Sequence, residues 1–540
     1  MKYALIGSLL FLIAICSQVS CQNRIDATVY QVGSTYTVSI GKKNIQDGVA
    51  VASFLDTTMK NGWAQINITS SNKFNSSAQA YSAGFIEGFL TQKNIWNFYP
   101  NQFQVWGFNK TIPDKMLKFM SENLEWTRLQ ASKSQNDAYW EHVSLVLKQF
   151  DGLVAGYQRS APKEEQLSEI ELYFLNAAGD LEDLIPAIMD APHFSKNKRL
   201  NSKMPRGDNK IGDDDGDDLS DCSALISLQD DDIFAGHTTW RSFGIINKFY
   251  KSVSLFINNE EKAVSYASSP GFLSSKDDFY VTSNQLLVME TTNSVFNTKL
   301  YNSVSPKSVL CWVRSIVCNM MCTTGSCWTE TFARYNSGSY NNQWMVVDYK
   351  IPFSAPRVVS PNTLWILEQI PGYTERRDVS DVLNKQKFWS SYNIPYFEAV
   401  YNKSGFPERK VEWGDNYDYY NCPRANIFRR QQSEIKTLED IGSVLQHNEW
   451  QSDPFSKGDP ANAISARYDL RRDLSKAHPF GGIDSKIADK KYVQMLVADG
   501  ICGPTHQNQV PFKWEPKHAN ISHGGQPQEF NFGFIQLNRF

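Results

Sequence analysis

Residues 221–240 read Asp221-Cys-Ser-Ala-Leu-Ile-Ser-Leu-Gln-Asp-Asp-Asp-Ile-Phe-Ala-Gly-His-Thr-Thr-Trp240. Two strand-like runs, 222–228 and 233–240, flank Asp230-Asp-Asp232, which is the pattern of a hairpin. Immediately before it lies Gly212-Asp-Asp-Asp-Gly-Asp-Asp-Leu-Ser-Asp221, and residues 194–221 as a whole are polar and charged. Such a segment cannot bury enough apolar surface to order itself, so an exposed connection is expected. An ordinary domain linker has the same composition. This one differs in stopping at a cysteine where a hairpin begins. A chain that cleaves itself before Cys222 would have this form. The Cys222 thiol would attack the Asp221 carbonyl, and the freed α-amine, with a pKa near ~8, would then serve as base. A strand, a turn and a returning strand bring His237 and Trp240 back towards the hairpin's start. Each also has an ordinary role, His237 as a satisfied core residue and Trp240 as core filling.

Cysteine counting supports Cys222. Nine cysteines are encoded, and Cys16 and Cys21 fall in or next to the leader described below, which leaves seven. An odd number in an oxidising compartment requires one unpaired thiol, and Cys222 is the natural candidate. Cys318, Cys322 and Cys327 form a local cluster, and Cys422 with Cys502 reads as a long-range staple. The spacings in the cluster do not suit zinc, so no metal and no cofactor are expected.

The chain opens with a secretory leader, residues 1–21, comprising Lys2, the apolar run Ala4–Ile15 and the small-residue end Val19-Ser-Cys21. No later apolar run is long enough to span a bilayer. Five Asn-x-Ser/Thr sites, at Asn67, Asn75, Asn109, Asn402 and Asn520, are expected to carry glycans. A net charge of −3 without a basic stripe argues against nucleic acid as partner. The expected destination is outside the cell or the lysosome.

Three strand patterns, 27–32, 35–40 and 62–69, are expected within 26–70 and a helix over 78–93, whose small residues imply close packing on a neighbour. Further helices are expected within 112–158 and 165–189. After the linker, strands are expected at 222–228, 233–240, 252–258, 279–290 and 343–350, with helices near 306–320 and 376–390. This is an α+β body built from both sides of the linker, with residues 22–193 and 222–540 sharing one core. Other engines are missing: there is no G-x-S-x-G elbow, no H-E-x-x-H, no Walker loop and no G-x-G-x-x-G. The aspartate run also fails as an EF-hand, because Gly216 at the sixth position puts Ile211 at the first.

The 221–240 stretch resembles the phospholipase B-like, or lamina-ancestor, family. So do Asn176-Ala-Ala-Gly-Asp-Leu-Glu-Asp-Leu184, Tyr335-Asn-Ser-Gly-Ser-Tyr-Asn-Asn-Gln-Trp344, Glu368-Gln-Ile-Pro-Gly372 and His478-Pro-Phe-Gly-Gly-Ile-Asp-Ser-Lys486. The resemblance implies an N-terminal nucleophile hydrolase, an αββα sandwich of two antiparallel sheets between helix layers. It implies two self-cleaved fragments that stay associated, and removal of fatty acyl chains from glycerophospholipids at a membrane or micelle surface. It makes Cys222 the nucleophile and puts His237, Trp240, Thr292 and Asn341 around it, with Thr291, Asn336 and Asn342 as neighbouring alternatives for the last two. The same residues also suit an N-acyl amide hydrolase. A non-catalytic lipid-binding glycoprotein on such a scaffold is the reading from another class.

Overall fold

The computed structural model describes residues 24–108, 111–134, 136–189 and 222–540. The leader, the 194–221 connection, Asp221 and Asn109 lie outside them. The expected N-terminal strands form as β1 (Arg24–Val32), β2 (Thr35–Ile40) and β4 (Trp63–Ser70), and an unexpected strand, β3 (Ala50–Asp56), lies between the last two in sequence. After the connection come β5 (Cys222–Leu228), β6 (Ile233–Ser242), β7 (Lys248–Ile257), β8 (Glu260–Ser268), β9 (Phe279–Thr282), β10 (Leu286–Thr292) and β11 (Asn342–Asp348). The run 279–290 is two strands, not one, because Gln285 takes a left-handed φ of 56° and turns the chain back.

An eleven-stranded sheet runs in the order Tyr373–Asp378, Leu364–Ile370, β11, β10, β9, β8, β7, β4, β3, β1, β2. β4 and β7 are parallel neighbours, so residues before and after the connection share one sheet. The second sheet runs Phe388–Ser391, β5, β6, Asp484–Ala488, Ala498–Cys502, Ile535–Leu537. The fold is therefore mixed α+β.

Alternation along the strands sets the packing. Ala224, Ile226, Leu228, Ile233 and Ala235 of the smaller sheet share a core with Phe279, Val281, Leu287, Met289, Met345 and Val347 of the larger. The opposite side of the larger sheet packs on helices, with Ala80, Ile86, Val146 and Phe150 against Ala52, Ile66, Ile68 and Val253. Leu225 and Ile487 pack outward on Ile427, Phe428, Ile441 and Leu445, from the helices Pro423–Gln431 and Leu438–Leu445.

The small residues of the helix Ser76–Leu90 do mark a close approach. A Cβ at Gly84 would lie 1.8 Å from the Gln149 carbonyl oxygen, and one at Gly152 would lie 2.0 Å from the Tyr81 oxygen. The helix Ala138–Ser160 thus meets Ser76–Leu90 backbone to backbone. Gly152→Val is expected to destabilise the protein by about 3 kcal/mol or more, since overpacking costs about 1–3 kcal/mol even where side chains can yield. An unchanged urea midpoint for this variant would contradict the packing.

Several expectations are corrected. Residues 376–390 are not one helix: Tyr373–Asp378 pairs back on Leu364–Ile370, and a short helix, Ser380–Gln386, leads into the strand Phe388–Ser391. Cys422 and Cys502 are not a staple. Cys502 lies between the sheets and Cys422 packs among the outer helices. Cys322 and Cys327 are bonded, while Cys222, Cys311, Cys318, Cys422 and Cys502 are buried thiols. The odd count therefore does not single out Cys222. Asn67 is buried in β4 between β3 and β7 and donates to the Phe540 carbonyl, which leaves no room for a glycan. Asn75, Asn402 and Asn520 are exposed.

Candidate active site

Cys222 opens β5, and pairing with β6 sets Cys222 opposite Thr239 and Ala224 opposite His237. The inner face of this hairpin is apolar from Ile233 and Leu228 as far as Ala224 and Ala235, then becomes polar at Cys222, His237, Thr239 and Arg241. Polar chemistry thus sits at one end of the space between the sheets.

Cys222 is fully buried. Its Sγ lies 3.9 Å from Asp278 Oδ2 and 4.0 Å from Arg241 Nη1. Asp278 precedes β9 with a left-handed φ of 58°. Tyr340 donates its hydroxyl to the Asp278 carboxylate, at 2.8 and 2.9 Å, and accepts from Arg241 Nη2 at 3.0 Å. Burial raises the Asp278 pKa. Glu290 is also wholly buried, next to the Asp278 carboxylate. Burial and the adjacent Asp278 charge push it well above the carboxylate range, so it is held protonated.

The Cys222 backbone is gripped on both sides. Its N–H donates to Asn393 Oδ1 at 3.3 Å, and its carbonyl accepts from Arg424 Nη1 at 2.5 Å. Arg424 also donates to Asn393 Oδ1 and to the Tyr392 carbonyl, and Asn393 Nδ2 donates to the Thr292 carbonyl at 2.7 Å. Asn393 sits at a left-handed φ of 69°, a conformation asparagine adopts readily.

His237 is neutral, because burial and the nearby Lys486 ammonium hold its pKa well below the usual value. Its Nε2 lies 2.8 Å from the Glu290 carbonyl oxygen, which can only accept, so Nε2 carries the hydrogen. Nδ1 is then the acceptor, and it faces Lys486 Nζ at 3.2 Å and Thr239 Oγ1 at 3.4 Å. The basic nitrogen is thus turned to Lys486. Lys486 in turn meets Asp484 at 2.6 Å, Asp484 meets Lys248 at 2.8 Å, and Lys248 meets Asp277 at 2.6 Å. Cys222, His237 and Asp278 each offer a metal-ligating atom within 4.8 Å of the others. Both His237 nitrogens are engaged, however, and Arg241 and Lys486 bring positive charge to the same place. The donor set therefore fits a proton-transfer site better than a cation.

The other expected residues divide. Thr292 ends β10, and its carbonyl is one hydrogen bond from Asn393; its Oγ1 has no partner among the described residues. Trp240 lies on the outer face of β6, donating Nε1 to the Ile464 carbonyl at 3.0 Å. It reaches the site only through Arg424, whose guanidinium stacks 4.6 Å above its ring. Asn341 is buried and braces a turn, donating to the Gly338 carbonyl at 3.1 Å and accepting from Gln369. Of the alternatives, Thr291 bridges to Ser391 and Asn336 donates to the Ile370 carbonyl. Asn342, paired with Thr292 across the strands, has both side-chain polar atoms unpartnered among the described residues, as does Asn293. These orphaned groups lie at the ends of β10 and β11, where the Thr292 carbonyl accepts from Asn393. Such buried atoms are where water or a polar substrate group is held.

Sequence reasoning missed Arg241, Asp278, Asn393 and Arg424 altogether. Arg241 adjoins the quoted hairpin, and Lys486 closes the His478–Lys486 motif without having been assigned a role there. Nothing local marks Asn393 or Arg424.

A family model described as Phospholipase B matches residues 50–537. The chain belongs to the phospholipase B-like family. Phospholipase B-like protein G of Dictyostelium discoideum is 39% identical over 526 residues, covering 92% of this chain and 88% of its own length. Human phospholipase B-like 1 is 34% identical over 524 residues, covering 95% and 91%. Among the described residues no helix is long and apolar enough to cross a membrane.

Proposed function

We propose that the chain is an N-terminal nucleophile acyl hydrolase with an αββα core that matures by cutting itself between Asp221 and Cys222. It then removes fatty acyl chains from glycerophospholipids. The observation that carries this is Cys222 itself. It stands at the first position of β5 with its thiol between a carboxylate and a guanidinium and its backbone fixed by Asn393 and Arg424. A buried structural cysteine does not need that surrounding.

In the uncut chain Asp278 takes the thiol proton, and Arg241 stabilises the thiolate. A carboxylate whose pKa is raised by burial is the stronger base near neutrality. The sulfur adds to the Asp221 carbonyl, and the C–N bond to Cys222 breaks as nitrogen takes a proton. Water then splits the thioester. The new α-amine lies where Asn393 Oδ1 already accepts from the Cys222 nitrogen, and it serves as base in turnover. The thiolate then attacks the substrate ester, the alcohol leaves with a proton, and water releases the fatty acid. Asn342 and Thr292, unpartnered among the described residues, are candidates to hold the substrate carbonyl or headgroup.

Amide hydrolysis is the second reading, because the proposed self-cleavage would itself break an amide at this thiol. Intact-mass measurement and N-terminal sequencing of protein made with its leader should give a large fragment beginning at Cys222. That fragment should release acyl chains from phosphatidylcholine faster than from an N-acylethanolamine. Cleavage only at scattered sites before 222, with no acyl release, would instead favour a binding glycoprotein. The leader and the exposed Asn75, Asn402 and Asn520 support secretion or lysosomal delivery of a glycosylated protein.

A further inference from the structure

Glu368 opens the Glu368–Gly372 motif and has no part in the chemistry above. It alternates with Ile366 and Ile370, which belong to the core between the sheets, so it points towards the smaller sheet and is wholly buried. A buried carboxylate is costly unless donors surround it, and three donors surround this one. Gln343, paired opposite on β11, donates Nε2 to Oε1 at 2.6 Å. The Tyr396 N–H donates to the same oxygen at 2.6 Å, and the Phe397 N–H donates to Oε2 at 3.0 Å. Burial raises the carboxyl pKa to about 7, Glu375 on the next strand adds to the rise, and the three bonds oppose it.

Tyr396 and Phe397 end the segment that carries Asn393. The segment begins at the strand Phe388–Ser391, whose pairing with β5 sets Ser391 opposite Ala224. Trp389 of that strand donates Nε1 to Gln343 Oε1 at 3.2 Å. An indole N–H can only donate, so this contact fixes the Gln343 amide with Nε2 towards Glu368. Residues 392–395 are thus strung between two anchors, β5 at one end and Glu368 at the other. Pro395 stiffens the link from Asn393 to Tyr396. Arg424 and the Thr292 carbonyl set the rotation of the Asn393 amide, while the anchors set where its backbone lies.

We propose that Glu368 is a positioning residue: it holds residues 392–397 where Asn393 Oδ1 meets the Cys222 nitrogen, and so sets the place of the amine base. The proposal rests on the Cys222 reading above. No hydrogen bond of Glu368 among the described residues reaches Cys222, Asp278 or His237. Its effect therefore passes through Asn393. In Glu368→Gln one oxygen becomes an NH2 group facing an N–H, and part of the anchor is lost.

The test uses the full chain with a protease site inserted before residue 222, so that every variant is cut alike. For Glu368→Gln, kcat for acyl release from phosphatidylcholine should fall about tenfold, the effect of one lost buried hydrogen bond, with KM within about twofold. Deuterium exchange in the peptide covering residues 392–397 should quicken. A double-mutant cycle separates positioning from plain destabilisation. Adding Glu368→Gln to Asn393→Ala should lower kcat by less than about twofold further, because the route through Asn393 is already gone. Pro395→Gly, which frees the link, takes its place in the cycle if Glu368→Gln does not fold. A loss of about tenfold that persists in the Asn393→Ala background would overturn the proposal. Unchanged exchange at 392–397 would overturn it too. A parent that releases no acyl chains would sink the hydrolase reading instead, and exchange would still decide whether Glu368 holds the segment.

Discussion

Cys222→Ala is expected to yield an uncut chain with acyl release lowered on the order of 10⁴- to 10⁶-fold, as for loss of other covalent nucleophiles. The fold should survive, because the change removes one sulfur from a site whose backbone is held independently by Asn393 and Arg424. Near-UV circular dichroism checks that point. Uncut chain and dead catalyst could share one cause, since an uncut chain has no free amine. The two roles separate if a protease site is inserted before residue 222 and cut after purification. The cut Cys222→Ala protein should remain inactive, whereas the parent carrying the same inserted site and cut in the same way should be active. Activity in the cut Cys222→Ala protein would remove Cys222 from the reaction and leave it a role in maturation alone.

The second large effect is expected at Asp484, far from the quoted hairpin in sequence. Asp484 lies between Lys248 and Lys486, all three fully buried. Although burial opposes its charge, the two ammonium groups hold its pKa far below the usual range. Asp484→Asn leaves two buried cations sharing too little counter-charge and should cost about 3–5 kcal/mol. It should also cut catalysis, because Lys486 sets the orientation of His237. Adding Lys486→Met to this variant should recover part of the stability by removing one unpaired charge; no recovery would mean that the ion chain is not the source.

A carboxylate with a depressed folded pKa contributes fully above its unfolded value, about 3.9, and loses that contribution only as pH falls through the lower folded value. The ion chain therefore persists at lysosomal pH. His237 behaves differently. Its folded pKa is also depressed, so stability is lost once pH falls below about 6.5, where the unfolded imidazole takes a proton that the folded one refuses. The contribution of His237 should thus fall between pH 7 and pH 5, read as a shrinking stability difference between the parent and His237→Asn, since the raised carboxyls of Asp278 and Glu290 move the parent's total the other way.

Much of the architecture was legible locally. Period-two runs marked β1, β2, β4, β5 and β6, and the small residues of 76–90 announced the backbone contact that Gly84 and Gly152 make. The hairpin was legible as well, and alternation by itself puts Cys222, His237 and Thr239 on one face. The same alternation puts Trp240 on the other face, a consequence that proximity in sequence concealed. Which face looks inward is decided only when the second sheet arrives. Asn67 also belongs to this class: its sequon is a three-residue pattern, while its burial depends on β3 and β7 closing on both sides.

What the sequence determined is the candidate, Cys222, because a cysteine at the start of a strand after a polar run is a local pattern. What only the tertiary structure decided is its surroundings. Asn393 and Arg424 reach Cys222 from 171 and 202 residues away, and Asp278 from 56. Such contacts have no local signature: they exist only because two sheets pack at one register, and burial then turns ordinary carboxylates and amines into a shifted, interlocked set.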